Sequence, residues 1–355
     1  MKERFLLDPD VVYLNHGAYG ATPRQVFESY QRWQHELERE PSAFMRRLPD
    51  LFEAVREALG RYLGAAADDL TLVPNATTGV NLAARALDLQ PGDEVLATDL
   101  EYGACDRAWE LLCERAGASY AHAPVDELFD RVGERTRVVF ASHITSETGL
   151  ILPVEEIVAR ARELGLTTIV DGAHAPAHVD LDLDALGADF YAGNCHKWLC
   201  APKGAGFLHV RDEWQDQVDG AITSWGSFEP STFLSRTLFQ GTRDPAAYLA
   251  VPDAIAFVEE HDDRDGSVAL AREARRRLNE LLDTEPIAPE EQVGRLATVR
   301  LPRAAPELTE RLFDEYRIEI PTMGPRRDDL LRVSVAMYTS EEDVERLLDA
   351  LPHVL

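Results

Sequence analysis

Gly193-Asn-Cys-His-Lys-Trp198 holds the side chain with the most chemical potential in this sequence. Lys197 is one of only three lysines, with Lys2 near the start and Lys203 just downstream. It stands between His196 and the apolar pair Trp198-Leu199, outside any solvated charge run. A lysine drawn out of water loses proton affinity and becomes a nucleophile or base near neutral pH. The other reading is a stem lying along Trp198 with the ammonium reaching solvent. On this stretch alone both stay open. Further candidates follow short β-rich runs. After 70–74 comes Asn75-Ala-Thr-Thr78, opening a helix-compatible segment. Free N–H groups and the helix dipole make such a start a phosphate cradle, although the same residue types also serve as plain caps. After 94–98 comes Tyr102, whose ring could stack on a flat ligand or pack on the surface. Thr167-Thr-Ile-Val-Asp171 ends in a carboxylate followed by Gly172; an Asp there serves a cationic partner or caps a helix. The polar stretch Ser142-His-Ile-Thr-Ser-Glu-Thr-Gly149 brings Ser146 to the same kind of position. Asn15 and His16, in a Gly-punctuated turn, either line a site or shape the turn.

The set says more than any member. In a parallel sheet, residues just beyond the strands' carboxyl ends share one edge. A lysine, a carboxylate, an aromatic ring and a phosphate cradle on that edge are what pyridoxal 5'-phosphate requires. They serve respectively its aldehyde, its pyridinium nitrogen, its ring face and its phosphate.

These residues also carry a family resemblance. Leu14-Asn-His-Gly17, Asn75-Ala-Thr-Thr78, Asp171-Gly-Ala-His174, Gly193-Asn-Cys-His-Lys-Trp198, Gly241-Thr-Arg-Asp-Pro245 and Leu331-Arg-Val-Ser334 occur in order. With them the chain resembles the fold-type I, class V aminotransferase superfamily, in its isopenicillin N epimerase-like branch. The resemblance implies that Lys197 bonds the cofactor aldehyde as an imine and Asp171 pairs with the pyridinium nitrogen. It implies that Ala76, Thr77 and His196 bind phosphate, that Tyr102 stacks on the ring, and that His174 and Ser146 lie near its phenolic oxygen. Gly241 and Thr242 would reach the phosphate of a partner subunit, giving a homodimer with active sites at the interface. Arg332 would hold the carboxylate of an amino-acid substrate, with Asn15 nearby; a strand-edge surface pair is the other reading of that arginine. Asn194-Cys195 departs from the Ser or Thr that many relatives carry ahead of the His-Lys pair.

The elements that must position these residues read as an α/β fold. Runs at 70–74, 94–98, 119–123, 137–141, 167–171, 189–192 and 206–210 alternate with amphipathic helices, implying a mainly parallel seven-stranded sheet covered on both faces. Ahead of it, Val26, Tyr30, Trp33 and Leu37 mark one helix; Leu51, Phe52, Val55, Leu59 and Tyr62 mark another after Pro49. Residues 1–250 form the expected large domain and 251–355 a smaller α+β domain, with the N-terminal segment free to pack on the latter. The smaller domain would hold helices at 253–282, 307–316 and 341–351 and strands at 296–301, 318–320 and 330–335.

Composition excludes several classes. Hydrophobic residues make up 45% and charged residues 28%, an ordinary globular balance. A net charge of −27 repels phosphate backbones and argues against nucleic-acid binding. No apolar run suggests a leader or membrane span, so a cytoplasmic location is expected. The four cysteines form no disulfide framework, and the ten histidines show no metal spacing, so no metal is expected.

Chemistry at the α-carbon of an amino acid or amino-acid conjugate can end in epimerisation, transamination or loss of a β-substituent. Lys197 is the natural base at that carbon. A desulfurase would need a thiol ahead of Arg332, and the stretch 320–327 has none. The reading is therefore an epimerase-like enzyme, with a C–S lyase or aminotransferase as alternatives and a non-catalytic cofactor-binding relative as the outlying one. Epimerisation calls for an acid/base on each face, and no second one stands out in the sequence. Trp225, Phe228, Arg243 and Met323 are pocket candidates by position, each equally a packing residue.

Overall fold

The computed structural model describes residues 1–323 and 329–355. Eleven strands are found among them: β1 (Val12–Tyr13), β2 (Leu70–Val73), β3 (Glu94–Thr98), β4 (Ser119–Ala123), β5 (Thr136–Ser142), β6 (Thr167–Gly172), β7 (Phe190–Asn194), β8 (Gly206–Val210), β9 (Leu296–Arg300), β10 (Ile318–Glu319) and β11 (Leu330–Ser334). Seven of them make the central sheet, in the order β2-β8-β7-β6-β5-β3-β4. Strands β3 to β7 pair in parallel, and β8 runs antiparallel to both its neighbours. Four of these strands, β2, β6, β7 and β8, are mostly apolar and almost wholly buried, as a sheet sandwiched between helices requires, with Asp171, Asn194 and His209 as polar exceptions. On one face Val80 and Trp109, from the helices Ala76–Ala86 and Gly103–Ala116, share a core with Phe140 and Phe190 of the sheet. On the other, Val170, Tyr191 and Phe207 join the core formed with Pro41–Leu63 and Val251–His261.

Two helices differ from expectation. The second begins at Pro41, not after Pro49, and runs through Pro49 to Leu63. Pro41 occupies the first turn, where its missing N–H costs nothing. Phe44, Leu48, Phe52, Val55, Leu59 and Leu63 are all buried along one stripe. Burial of that stripe outweighs the roughly 3 kcal/mol that an interior proline costs. The segment expected as one helix over 253–282 is two, Val251–His261 and Arg264–Leu282. Asp263 breaks it by capping the second, accepting from the Gly266 N–H at 2.9 Å.

A separate core holds Leu278, Leu312, Val333, Leu347 and Leu351, and takes in Val12 and Leu14 from the N-terminal segment. There β9 and β11 pair antiparallel, and β1 pairs in parallel with β10. Strand β11 is thereby placed so that Arg332 faces the end of the large sheet. Arg295, just before β9, forms a buried ion pair with Asp262 and lies over the Trp198 ring at 5.8 Å, linking this layer to the lysine loop.

Candidate active site

Residues from β2, β3, β5, β6 and β7 converge where those strands end, as a cleft of about 430 Å³. Lys197, Asp171, His174, Tyr102, Thr77 and Arg332 line it. Asn15, Ser146, His196 and Met323 border it too. A larger groove of about 1070 Å³ lies between the helix Val154–Glu163 and residues 287–292, but the reactive groups are not there.

Lys197 is held by its backbone before its side chain. The loop after β7 closes on itself, with the N–H groups of Cys195 and His196 on Ala205 O and that of Cys200 on Lys197 O. Trp198, Leu199 and both cysteines are buried beneath it. His16 Nε2 donates to Lys197 O at 3.1 Å, which leaves its Nδ1 to accept from Tyr338 at 2.9 Å. Burial pushes His16 down to about 3, so it stays neutral. Gly20 meets the same loop at φ +69°, and a Cβ there would lie 2.0 Å from His196 O. Gly20→Ala is expected to destabilise the chain by at least ~1–3 kcal/mol and displace the lysine loop. A urea titration read together with cofactor occupancy checks this.

The amine of Lys197 lies 3.0 Å from His174 Nε2. His174 Nδ1 accepts from the Trp198 indole N–H at 3.4 Å. The neutral ring thus carries its proton on Nε2 and presents it to the lysine nitrogen. Burial first, then the neighbouring cations, holds His174 well below the usual imidazole range. Burial, reinforced by Arg332, brings Lys197 down to about 7, so a large share of it is free amine at neutral pH.

Asp171 is buried, with the Ala173 N–H at 2.9 Å and the Cys105 thiol at 3.6 Å as hydrogen-bond donors. Burial raises its pKa while Lys197 draws it back. Gly172 is needed beside it, since a Cβ would lie 2.1 Å from the Tyr191 ring. Arg332 is also buried; one Nη donates to Ser146 O, and its Nε has no hydrogen-bond partner among the described residues. Burial lowers it to about 10, so it remains a cation at neutral pH. Asn15 Nδ2 donates to Glu319 at 3.3 Å, and its buried Oδ1 has no hydrogen-bond partner.

At the cradle, the Ala76 N–H is already taken by Asn194 Oδ1 at 2.8 Å, and Asn75 caps the helix through the Thr78 N–H. Asn194, at the departure from the relatives' Ser or Thr, thus seals the first amide. Thr77 lines the cleft, whereas the Ala76 amide is engaged by Asn194. His196 Nδ1 donates to Ala205 O at 2.9 Å, and burial pushes the ring down to about 4. Its Nε2 can donate to a phosphate only once protonated. Gly241 and Thr242 lie outside the cleft, Thr242 exposed. Trp225 and Phe228 are 77% and 69% exposed, and Arg243 lies over Tyr248, so Met323 is the pocket candidate that reaches the cleft. Lys203 donates to Gly20 O. Of the cysteine-free stretch 320–327, residues 324–327 lie outside the described residues.

Three participants were not read from the sequence. Cys105 sits against Asp171. Trp198 fixes the His174 tautomer. Glu101, buried and raised to about 8 by desolvation, accepts from the Ser142 hydroxyl and amide at 2.6 and 3.0 Å. Its place beside Tyr102 was the one available signal; Cys105 gave none, because a contact from the helix Gly103–Ala116 to a strand 66 residues on leaves no spacing in the chain.

A near-neutral lysine, a buried carboxylate without an ion pair among the described residues and an arginine with an open guanidinium face fit pyridoxal phosphate and an amino acid. Such a site on this sheet defines the fold-type I class of pyridoxal-phosphate enzymes. The model of the aminotransferase class-V family matches residues 12–347, and the chain belongs to that family. It is an enzyme dependent on pyridoxal phosphate. It is 38% identical to isopenicillin N epimerase of Streptomyces clavuligerus, over 98% of this chain and 96% of that one. A probable chloroplastic L-cysteine desulfhydrase of Arabidopsis thaliana is 29% identical over 97% of this chain and 83% of its own. Among solved structures, a lysine-to-alanine mutant of C-DES with glycine covalently linked to its pyridoxal-phosphate cofactor superposes with a TM-score of 0.91 at 23% identity over all of both chains, a shared fold.

Proposed function

We propose that this enzyme acts at the α-carbon of an amino acid or amino-acid conjugate as an epimerase, working as a cytoplasmic homodimer. The observation that carries the chemistry is Lys197 held as a near-neutral amine 3.0 Å from the Nε2–H of His174, in one cleft with Arg332. When bound, pyridoxal phosphate supplies an electron sink for negative charge at the substrate α-carbon. Thr77, with His196 once protonated, would hold the phosphate, Asp171 the pyridinium nitrogen and Tyr102 a ring face. Arg332 would hold the substrate carboxylate. Lys197, released from the cofactor, moves a proton at the α-carbon. His174, neutral and with its Nε2 3.0 Å from the Lys197 nitrogen, would orient that nitrogen by donating its Nε2–H to it. Trp198→Phe is expected to lower kcat ~2–10-fold with little change in KM, and to shift the pH profile, through loss of one hydrogen bond. An unchanged profile would remove Trp198 from the positioning role.

A C–S lyase is the second reading, favoured by the desulfhydrase relatives. Sulfur abstraction by an enzyme thiol is disfavoured. All four cysteines are buried, and burial pushes the thiols of Cys105, Cys195 and Cys200 up. The exposed Gly241–Thr242 segment, with Trp225 and Phe228, supports a dimer in which it completes the partner's site. Among the described residues no helix is long and apolar enough to cross a membrane. The test incubates the holoenzyme with candidate amino acids and conjugates and follows α-carbon chirality, pyruvate with ammonia, and 2-oxo-acid dependence separately. Inversion without pyruvate supports the epimerase; pyruvate formed without a keto-acid acceptor replaces it with the lyase. Light scattering at twice 39.6 kDa checks the dimer.

A further inference from the structure

The opposite edge of the sheet carries a second cluster. Strand β8 runs antiparallel to its neighbours, so His209 near its end pairs with Leu70 at the start of β2. Asp69 immediately precedes that strand, and Asp184 lies in the short helix Leu183–Leu186 ahead of β7. His209 is 2% exposed, yet neither ring nitrogen has a hydrogen-bond partner among the described residues. Its Nε2 faces Asp184 Oδ1 at 3.6 Å, beyond hydrogen-bond reach. One ring nitrogen and one oxygen from each carboxylate lie within 4.8 Å of one another. Gln215 orients Asp69 through a 2.7 Å hydrogen bond. The nearby Arg211 is engaged by Asp189 and Glu213 at 3.3 and 2.8 Å, so it does not balance the two aspartates.

We propose that His209, Asp184 and Asp69 form a binding site for a divalent transition-metal ion. One imidazole with two carboxylates suits Zn²⁺, Mn²⁺, Co²⁺ or Ni²⁺ better than Mg²⁺ or Ca²⁺, which favour all-oxygen shells. Bonds of roughly 2.1 Å need the ligand atoms drawn closer together. Asp184, more than half exposed, has the rotamer freedom to close that gap. The ion would tie the turn before β2, the end of β8 and the helix before β7. Its role is structural, since the chemistry lies at the other edge of the sheet. The three ligands come from distant parts of the chain, which is why histidine spacing shows no metal motif.

The full-length holoenzyme, dialysed against chelator and then plain buffer, is titrated with Zn²⁺ by calorimetry and with Co²⁺ by visible absorbance. One equivalent is expected to bind, with a thermal midpoint that rises with Zn²⁺ concentration. His209→Ala and Asp184→Asn are each expected to weaken binding at least about tenfold while leaving the visible cofactor absorbance unchanged. Asp184 is exposed, so D184N tests the site even if H209A folds poorly. Absence of Zn²⁺ binding by the wild type up to about 1 mM, or wild-type binding by D184N, overturns the proposal.

Discussion

Lys197→Ala is expected to abolish covalent capture of pyridoxal phosphate and lower kcat/KM by ~10,000-fold or more, because it removes both the proposed attachment point and the proposed base at the α-carbon. The fold should survive. Trp198, Leu199 and the hydrogen bond from His16 to the residue-197 carbonyl hold the loop without the side chain. Removing a desolvated amine also relieves a cost. The pH dependence has a definite sign. Burial and Arg332 both disfavour the ammonium, so the pKa falls from the usual lysine range to about 7. Below that value the amine is protonated and cannot attack an aldehyde. Capture of cofactor by the apo chain should therefore rise with pH through about 7 and level off above it. Stopped-flow absorbance measures this directly. A midpoint near the ordinary lysine value would mean that the cleft stays wet, and retained visible absorbance in the alanine variant would displace Lys197 from its role.

Asp171→Asn should lower kcat by ~100–1000-fold while keeping the shape of the site, the scale expected when one preorganised electrostatic partner is lost. Asp171 has two neutral donors, the Ala173 N–H and the Cys105 thiol, and neither neutralises a buried carboxylate. In the proposed role it would hold the proton of a pyridinium nitrogen, which an amide cannot hold electrostatically. A second readout separates this from simple damage. The apo form of D171N should be at least as stable as the wild-type apo form in a urea titration, because a buried charge without an ionic partner has been removed. A variant with reduced stability and unchanged kcat would make Asp171 a structural cap, the competing reading of an aspartate at a strand end.

Much of the framework was legible because it is local. Buried strands such as Thr167–Gly172 announce themselves as apolar runs, and helices such as Val154–Glu163 by their stripe, so the sheet and its carboxyl edge follow from pattern alone. Pro49 misled because proline was read as punctuation, whereas a six-residue buried stripe set against one missing hydrogen bond decides for the helix. The cradle was legible in type but not in occupancy. Nothing near Asn75 reveals that Asn194, on another strand, takes the Ala76 amide.

By itself the sequence offered the candidate set: Lys197 between His196 and Trp198, Asp171 at the end of an apolar strand, Asn75-Ala-Thr-Thr78 at a helix start, and Arg332 within its motif. Those follow from residue type and from neighbours along the chain. The tertiary structure decided which proton sits where. Trp198 and Lys197 meet His174 from opposite sides of its ring, Cys105 and Asp171 meet across the sheet edge, and His16 reaches the lysine backbone from the N-terminal segment. Tautomers and shifted pKa values arise from burial and from contacts between residues distant in sequence, and a linear pattern contains neither.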